Sequence, residues 1–580
     1  MAQNLRLKSQ SYSTKKEFSF AIEVLVDTGV AHLSKPYTYA VETNDARVDI
    51  GSLVTVPFGS KVLSGIVVSK NSKAIGDLKF IKKVVHSNPI LNAEQIELVS
   101  NSAQRWGANF WDIVKFAVPK IPNKVEVPLP ADQGILRKVE KPILKIGTGY
   151  PDFLDLIQNR INPSRQLLVI VPEVRDIDFL RSKIKSKFIE YGSHLANIER
   201  YKNYLKILSG ELNLIISTRS GIFLPLKADS EILILDELAF SFYESRYPYW
   251  NVRDVALLRA AHHSITFYSH SPSLELARLV ESGWLKLRTK KTLRIPCFFS
   301  DSRISYQTLV KSALEKGAVL ILVPEKGYVN TLVCAKCRNI RKCDLCGGRL
   351  QLNSINSKPE CALCLQKAKN ESCSYCGSDL LLSFRKGIEK NLEELGKQFP
   401  NTPIRKYVSG DFVPNRGEIV ISTFSQYPIS EFEAIIALGL EKYLYRSYLR
   451  SNEFGRNLMF NLRALQPKSL FLELKESDYF ARALQLGNSY QDALKELADR
   501  QSAKLPPDYK IVLIEADSRA AEVFAEQNFI ESVNYQAGRV IVKTKVENLG
   551  KLTALIREIV NYRSIRKLKP WGVKIDPIDI

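Results

Sequence analysis

The sequence predicts a multidomain α/β protein: a small β-rich domain at the N-terminus, an α/β body interrupted by a cysteine-rich metal module, and a final α/β domain. Three observations predict it. Apolar strand-like runs alternate with helix-like segments through the middle of the chain, the pattern of a parallel sheet covered by helices. Short alternating segments separated by turn residues crowd residues 18–85 instead. Eight of the nine cysteines lie between Cys334 and Cys376 as four C-x-x-C pairs, separated by five, fourteen and eight residues.

At 580 residues the chain has room for about three to five domains with cores of their own. Lys and Arg outnumber Asp and Glu by 83 to 61, a net charge of +22 spread along the chain. A polyanionic partner follows from that balance. No apolar run reaches the length that spans a bilayer, so no membrane-spanning helix is expected. The first apolar stretch, Phe18 to Val30, carries Glu23 and Asp27, so no secretory signal is expected. Paired cysteines with only Cys297 outside the group fit a reducing cytoplasm better than a disulfide scaffold.

Taken in order, residues 1–17 are polar and basic and are expected to form a disordered tail. Residues 18–118 read as the β-rich domain followed by helical periodicity from Ala93 to Phe116. The proline-containing polar stretch 119–141 reads as a linker. From Pro142 the runs PILKIG, QLLVIVPEV, LNLIISTRS, EILILDE and SITFYSH predict buried parallel strands, in a unit expected to end near residue 300. The four cysteine pairs supply eight thiolates, and two tetrahedral zinc ions use four each. The fourteen-residue spacer, Gly347 to Glu360, resembles the hairpin between the pairs of a zinc ribbon, whereas the five residues after Cys337 are tight. A nested pairing follows, with Cys343, Cys346, Cys361 and Cys364 inside and Cys334, Cys337, Cys373 and Cys376 closing around them. With no ligand position left open, structural zinc is the expectation; a redox dithiol or an iron-sulfur site is the lesser alternative. Lys336, Arg338, Arg341 and Lys342 can offset the thiolate charge or face a polyanion.

The order PYTY, then G-x-L-V-x-V-P-F-G (Gly51 to Gly59), G-I-V-V (Gly65 to Val68) and LKFIKKVV resembles the N-terminal DNA-binding domain of the PriA (primosomal protein N′) family of replication-restart proteins. That resemblance implies a pocket for the 3′ end of a nascent strand at Tyr37, Thr38, Gly59 and Lys79. Tyr37 can stack on a base, Gly59 permits close backbone approach and Lys79 can meet a phosphate. Thr38 stands where the family has Asp, and a hydroxyl holds a terminal 3′-OH less strongly than a carboxylate. The family's winged helix has too few residues here and is expected to be missing.

The resemblance continues through a superfamily two helicase body. VPEV (Val171 to Val174), STRSGIFLPL (Ser217 to Leu226), LILDE (Leu233 to Glu237) and SHSPSLE (Ser269 to Glu275) stand in the family's order and imply two RecA-like lobes, at 142–300 and at 301–333 plus 381–475. Module 334–380 is inserted in the second lobe, and the family assigns all eight cysteines the same nested pairing. Residues 476–580 form the C-terminal domain; Leu505, Pro506 and Pro507 and the tail VKIDPIDI resemble its family counterparts.

The residues of ATP chemistry are missing. A P-loop needs glycines whose N–H groups wrap phosphates, a lysine and a hydroxyl. Here the loop reads Gly147, Thr148, Gly149, Tyr150, Pro151, Asp152, Phe153, with Asp152 in the lysine's place. Asp236 and Glu237 keep the Walker B carboxylates, but without a phosphate cradle they read as relics or a helix cap. RALQPK (Arg463 to Lys468) stands where an active relative has an arginine pair for the γ-phosphate. The run Phe240 to Asp254 aligns with the aromatic-rich loop that senses DNA in the family; its Arg246, Trp250 and Arg253 suit stacking on single-stranded bases, or else packing between lobes.

The resemblance therefore implies a degenerate, actinobacterial-type PriA-like factor that binds stalled forks by structure and promotes reloading of the replicative helicase without unwinding DNA itself. Its expected cofactors are two zinc ions, with the lost P-loop arguing against ATP and Mg²⁺. Its expected partners are branched or forked DNA, single-stranded DNA, the replicative helicase or its loader and single-strand-binding protein, in a nucleoid-associated cytoplasmic setting. Rival readings are an active ATP-dependent 3′ to 5′ DNA helicase and a zinc-ribbon nucleic-acid adaptor.

Overall fold

The computed structural model describes the chain apart from residues 1–17, 43–46, 72–77, 123–124, 132–138, 291–293, 325–331, 346, 349, 352–357, 362–365, 369–371, 383–387, 411, 445–447 and 579–580. The expected tail and part of the expected linker lie outside the described residues.

Strands β1 (Phe18–Val26), β2 (Pro36–Glu42), β3 (Leu53–Phe58), β4 (Lys61–Asn71) and β5 (Lys83–Val84) form an antiparallel sheet of order β2-β1-β4-β3-β5. Their alternating sequence gives the sheet two apolar faces. Val24, Val41, Val54 and Val56 pack on one, while Leu25, Leu53 and Ile66 turn to the other, against helices α1 (Ala93–Arg105) and α2 (Phe110–Ala117). Asn92 and Gln95 close a capping box that fixes where α1 begins.

A seven-stranded parallel sheet follows. From edge to edge its strands are Lys286–Thr289, Ile143–Ile146, Ser264–Ser269, Glu231–Leu235, Leu167–Ile170, Leu214–Ser217 and Ile189–Tyr191. The central runs 232–235, Leu167–Ile170 and 214–216 are continuously apolar because helices cover both faces, whereas the edge strand Lys286–Thr289 is mostly exposed. A second parallel sheet holds Val319–Val323 at its centre, between Ile419–Thr423 and Ala434–Ala437. Strand Cys297–Phe299 pairs with Ser469–Leu472 in this second sheet, so the first lobe ends before the expected boundary at 300. Helix Tyr479–Leu486 also belongs here, since Phe480 and Leu484 complete the second lobe's core; the C-terminal domain starts later than 476.

The C-terminal sheet, built on the central strand Tyr509–Glu515, is antiparallel. One apolar core runs from α1 and α2 through the first lobe, where Ile232 and Ile234 lie, to Val512 and Ile556 of the C-terminal domain. The helices at 93–117 are thus shared between domains and do not merely cap the N-terminal sheet.

Candidate nucleic-acid interface, metal centre and closed nucleotide site

At one end of the N-terminal sheet, β2 and the β3–β4 turn bring four of the expected residues together. The Tyr37 ring packs edge-on against Phe58, centroids 5.0 Å apart, next to exposed Gly59 with φ of 60° in the turn. Thr38 is exposed on the edge strand, and exposed Lys79 is held beside it because its carbonyl accepts from Ala40 N at 2.9 Å. Lys35, which motif reading did not single out, places Nζ 5.8 Å from the centre of the Tyr37 ring. Tyr37, Lys35 and Gly59 thus share one end of the sheet, while alternation along β2 turns Thr38 to the opposite face from the Tyr37 ring.

Two of the expected DNA contacts are corrected by burial. Trp250 is 1% exposed, wedged between the rings of Phe116 and Phe223 at 5.5 and 4.9 Å. Its area is worth more in that core than at the surface. Arg253, also 1% exposed, is neutralised by Glu275 at 2.9 Å and Asp254 at 3.0 Å and cannot reach a phosphate. Arg246 does face solvent, held by Glu244 at 3.0 Å.

The nucleotide site is filled by the protein's own groups. Asp152, standing where a P-loop has its lysine, sits 3.2 Å from Lys145 and 2.5 Å from Lys290 and meets the Tyr268 hydroxyl at 3.0 Å. Burial pushes its carboxyl up, but Lys290 and Lys145 outweigh that and hold it below the usual range. The amide of Gly149 donates to the Tyr268 hydroxyl, and a Cβ at Gly149 would come within 2.4 Å of the Ala464 carbonyl. The loop therefore abuts helix α4 (Ser451–Ala464) of the second lobe, to which Gln466 adds a bond to Thr148 O at 3.3 Å. Between Gly147 and Arg463 a cavity of about 10 Å³ is left, room for at most a single water.

The Walker B pair serves the same closure. Asp236 accepts from the side-chain amides of Asn457 and Asn461 on α4, at 2.5 and 2.8 Å. Glu237 accepts from Ser273 N at 2.8 Å, at the start of helix α3 (Leu274–Glu281), while its second oxygen has no partner. Burial pushes its carboxyl up to about 7. A folded-state value above the ordinary 4.5 means that the native protein holds this proton more tightly than the unfolded chain does. Its contribution to stability is therefore full below 4.5 and is lost as pH rises through about 7. Glu237→Gln should stabilise the protein relative to the native sequence by about 3 kcal/mol near pH 8 and by little near pH 4. Urea midpoints at the two pH values check this, and a pH-independent difference would refute it.

A buried charge network locks the lobes and the C-terminal domain together. Glu275 of α3 meets Arg450 at 2.5 Å and Arg253; Arg450 also meets Glu453 at 3.3 Å and Asp576 at 3.4 Å. Lys510 closes on Asp576 at 2.6 Å, and Arg456 on Glu496 at 2.6 Å. Burial raises the Glu275 carboxyl, but Arg253, Arg450 and Lys510 prevail and hold it well below the usual range.

In the cysteine module the sulfurs of Cys334, Cys337, Cys373 and Cys376 all lie within 4.8 Å of one another, with Cys334 to Cys376 at 3.5 Å and Cys337 to Cys373 at 3.7 Å. A tetrahedron with metal–sulfur bonds of about 2.3 Å has edges of about 3.8 Å, so these four thiols could hold one metal ion. The turns repeat. The amides of Arg338, Gly347 and Gly377 donate to the carbonyls of Cys334, Cys343 and Cys373, and each of the three donors has positive φ. Of the inner set, Cys343 and Cys361 share a small core with Leu332 and Leu350 across the hairpin Leu350–Gln351 with Glu360–Cys361, while Cys346 and Cys364 lie outside the described residues.

An N-terminal antiparallel sheet with an aromatic and cationic end, two lobes on parallel sheets and a tetrathiol cluster make a multidomain α/β protein. Residues 23–119 match the 3′DNA-binding domain (3′BD) of PriA. The probable replication restart protein PriA of Mycobacterium leprae is 25% identical over 95% of this chain and 99% of its own. That of Mycobacterium tuberculosis is 28% identical over 66% of this chain and 68% of its own, and the replication restart protein PriA of Helicobacter pylori is 22% identical over 94% and 98%. Among solved structures, RecG bound to a three-way DNA junction covers 63% of this chain and 44% of its own at 11% identity with a TM-score of 0.34, a likeness too loose to carry an inference. Over most of its length the chain is thus similar to replication restart proteins PriA, and residues 23–119 match the 3′DNA-binding domain of that family.

Proposed function

We propose that this protein recognises abandoned or stalled replication forks by structure and promotes primosome assembly and reloading of the replicative helicase, without ATP-driven unwinding. The observation that carries the second half is the nucleotide site, where Asp152 and its two lysines occupy the phosphate position and about 10 Å³ is left between the lobes. A triphosphate needs cations that are not already engaged and far more room, and here Lys145 and Lys290 are both turned onto Asp152. The first half rests on the match to the 3′DNA-binding domain and on Tyr37, Thr38, Gly59, Lys79 and exposed Arg246 as DNA contacts. Two zinc ions, one per set of four cysteines, hold the inserted module. Its exposed Leu345, Tyr375 and Leu380 make it a surface for the helicase or its loader. Single-strand-binding protein is a further partner in this reading. Among the described residues no helix is long and apolar enough to cross a membrane.

The test is fork binding and DNA-stimulated ATP hydrolysis on metal-replete protein. A branched DNA should bind tighter than plain duplex at fixed salt, with a steep salt dependence from phosphate contacts and no response to ATP and Mg²⁺. Hydrolysis that disappears in Asp236→Ala would establish a working motor instead, and equal affinity for fork and duplex would remove the fork reading.

A further inference from the structure

A cavity of about 640 Å³ opens between the end of β1, the turn after it and helix α2. It lies on the face of the N-terminal sheet away from the Tyr37 ring: Tyr37 and Phe58 pack with Val24 and Val56, whereas Leu53 and Ile66 line the cavity. Both sites share one end of the sheet, since Tyr37 pairs with Val24 while Ser34 lies on the cavity wall. Three residues of chain separate Ser34 from Tyr37, a reach of at most about 11 Å.

The lining mixes aliphatic side chains with polar, charged and aromatic groups of several chemical kinds. Trp111 forms one wall, with its indole N–H anchored on Leu25 O at 3.1 Å. Asp27 is exposed and has no ion pair among the described residues; partial desolvation and then the charge of Asp112, a second carboxylate on the lining, push its carboxyl up against a bond from the Gly29 amide that lowers it. His86 is 5% exposed, its Nδ1 makes no hydrogen bond, and burial lowers its pKa. Lys115 and Lys120 are exposed on the lining. An aromatic wall, a carboxylate acceptor and two cations together match the three parts of a nucleotide: ring face, base edge and phosphate.

We propose that this cavity is a second nucleotide site, in which a base lies along Trp111 with its hydrogen-bond donors on Asp27 and its phosphate on Lys115 and Lys120. The proposal rests on the DNA-binding reading of this domain and extends it to a second site, on the other face of the sheet. A carboxylate accepts best from guanine, whose Watson–Crick edge carries adjacent N–H donors. Thymine offers a single donor flanked by two carbonyls that repel the carboxylate. The ligand is then a guanine nucleotide, either free or as an unstacked base in a single strand.

Full-length protein is titrated calorimetrically with GMP and with dTMP, and separately with oligo-dT blocked by a 3′-phosphate, with and without one internal guanine. GMP should bind at least about tenfold tighter than dTMP. Asp27→Asn, with unchanged circular dichroism, should bring the two within about twofold, because one acceptor becomes a donor. Lys115→Ala and Lys120→Ala should each lower the salt slope of oligonucleotide binding by about one. Preference for the guanine-containing oligonucleotide identifies a strand as the source, and preference confined to GMP identifies a free nucleotide. Equal or absent binding of GMP and dTMP, or an undiminished preference in Asp27→Asn, overturns the proposal. Failure of the fork reading would appear differently, as equal affinity for fork and duplex with GMP binding intact.

Discussion

Serine at Cys373 should cost the protein one of two zinc ions and open the module between residues 334 and 380 to protease, while the sheets of both lobes stay folded. A structural zinc site supplies on the order of 10 kcal/mol of apparent folding free energy to a unit too small for a core of its own. Here the four outer sulfurs close the two ends of the insertion, where Val333–Cys334 pairs with Leu381–Leu382. The central strand Val319–Val323 of the second lobe bonds directly to Ile419–Thr423 and Ala434–Ala437, so that sheet does not depend on the metal. Metal content falling from two to one per chain, with new cleavage confined to the module, is the expected result. Cys297→Ser is the control, since Cys297 lies outside the cluster with its thiol on Ile295 O. Unchanged zinc content in Cys373→Ser would remove the outer site.

Arg450→Ala should destabilise the junction of the lobes by about 3–5 kcal/mol, because it strips a cation from Glu275, Glu453 and Asp576 in a dry interface. The loss should depend on acidity in a defined direction. Glu275 has its folded-state value held far below the ordinary 4.5, so its contribution is full above that value and fades as pH falls toward the lower folded value. The difference between native and variant protein should therefore be greatest near neutrality and shrink in acid. Denaturation at about pH 7 and pH 4 measures it, with small-angle scattering to detect separation of the lobes. A variant as stable as the native protein at both values would show that the network contributes specificity of docking and no net stability.

Such a lock also bears on the proposal that this protein does not unwind DNA. A helicase uses nucleotide to bring its lobes together and releases them on hydrolysis. In this chain Asn457 and Asn461 on Asp236, Gln466 on Thr148 and Arg450 on Glu275 keep the lobes together without nucleotide. Asp152, which stands where a P-loop has its lysine, is itself satisfied by Lys145, Lys290 and Tyr268.

Much of this architecture was legible along the chain because it is written in local patterns. Period-two segments announced the N-terminal sheet, apolar runs announced parallel strands, and the spacing of C-x-x-C pairs announced the metal module together with the hairpin across it. The loss of the P-loop could also be read residue by residue. Other features could not, because they join residues far apart in sequence. Trp250 and Arg253 sit in a run of aromatics and arginines that suits DNA, yet one is enclosed by Phe116 and Phe223 and the other neutralised by Glu275. Strand Cys297–Phe299 crosses to the second sheet because its partner, Ser469–Leu472, lies far along the chain.

Composition and periodicity, then, were enough for the kinds of element and their order. Which charges meet was decided in three dimensions. Glu275 and Arg450 are 175 positions apart, and Asp236 and Asn461 are 225 apart. Burial changes what such groups are worth: in water they would be separate solvated charges, and in the closed interface each must find its partner or shift its pKa.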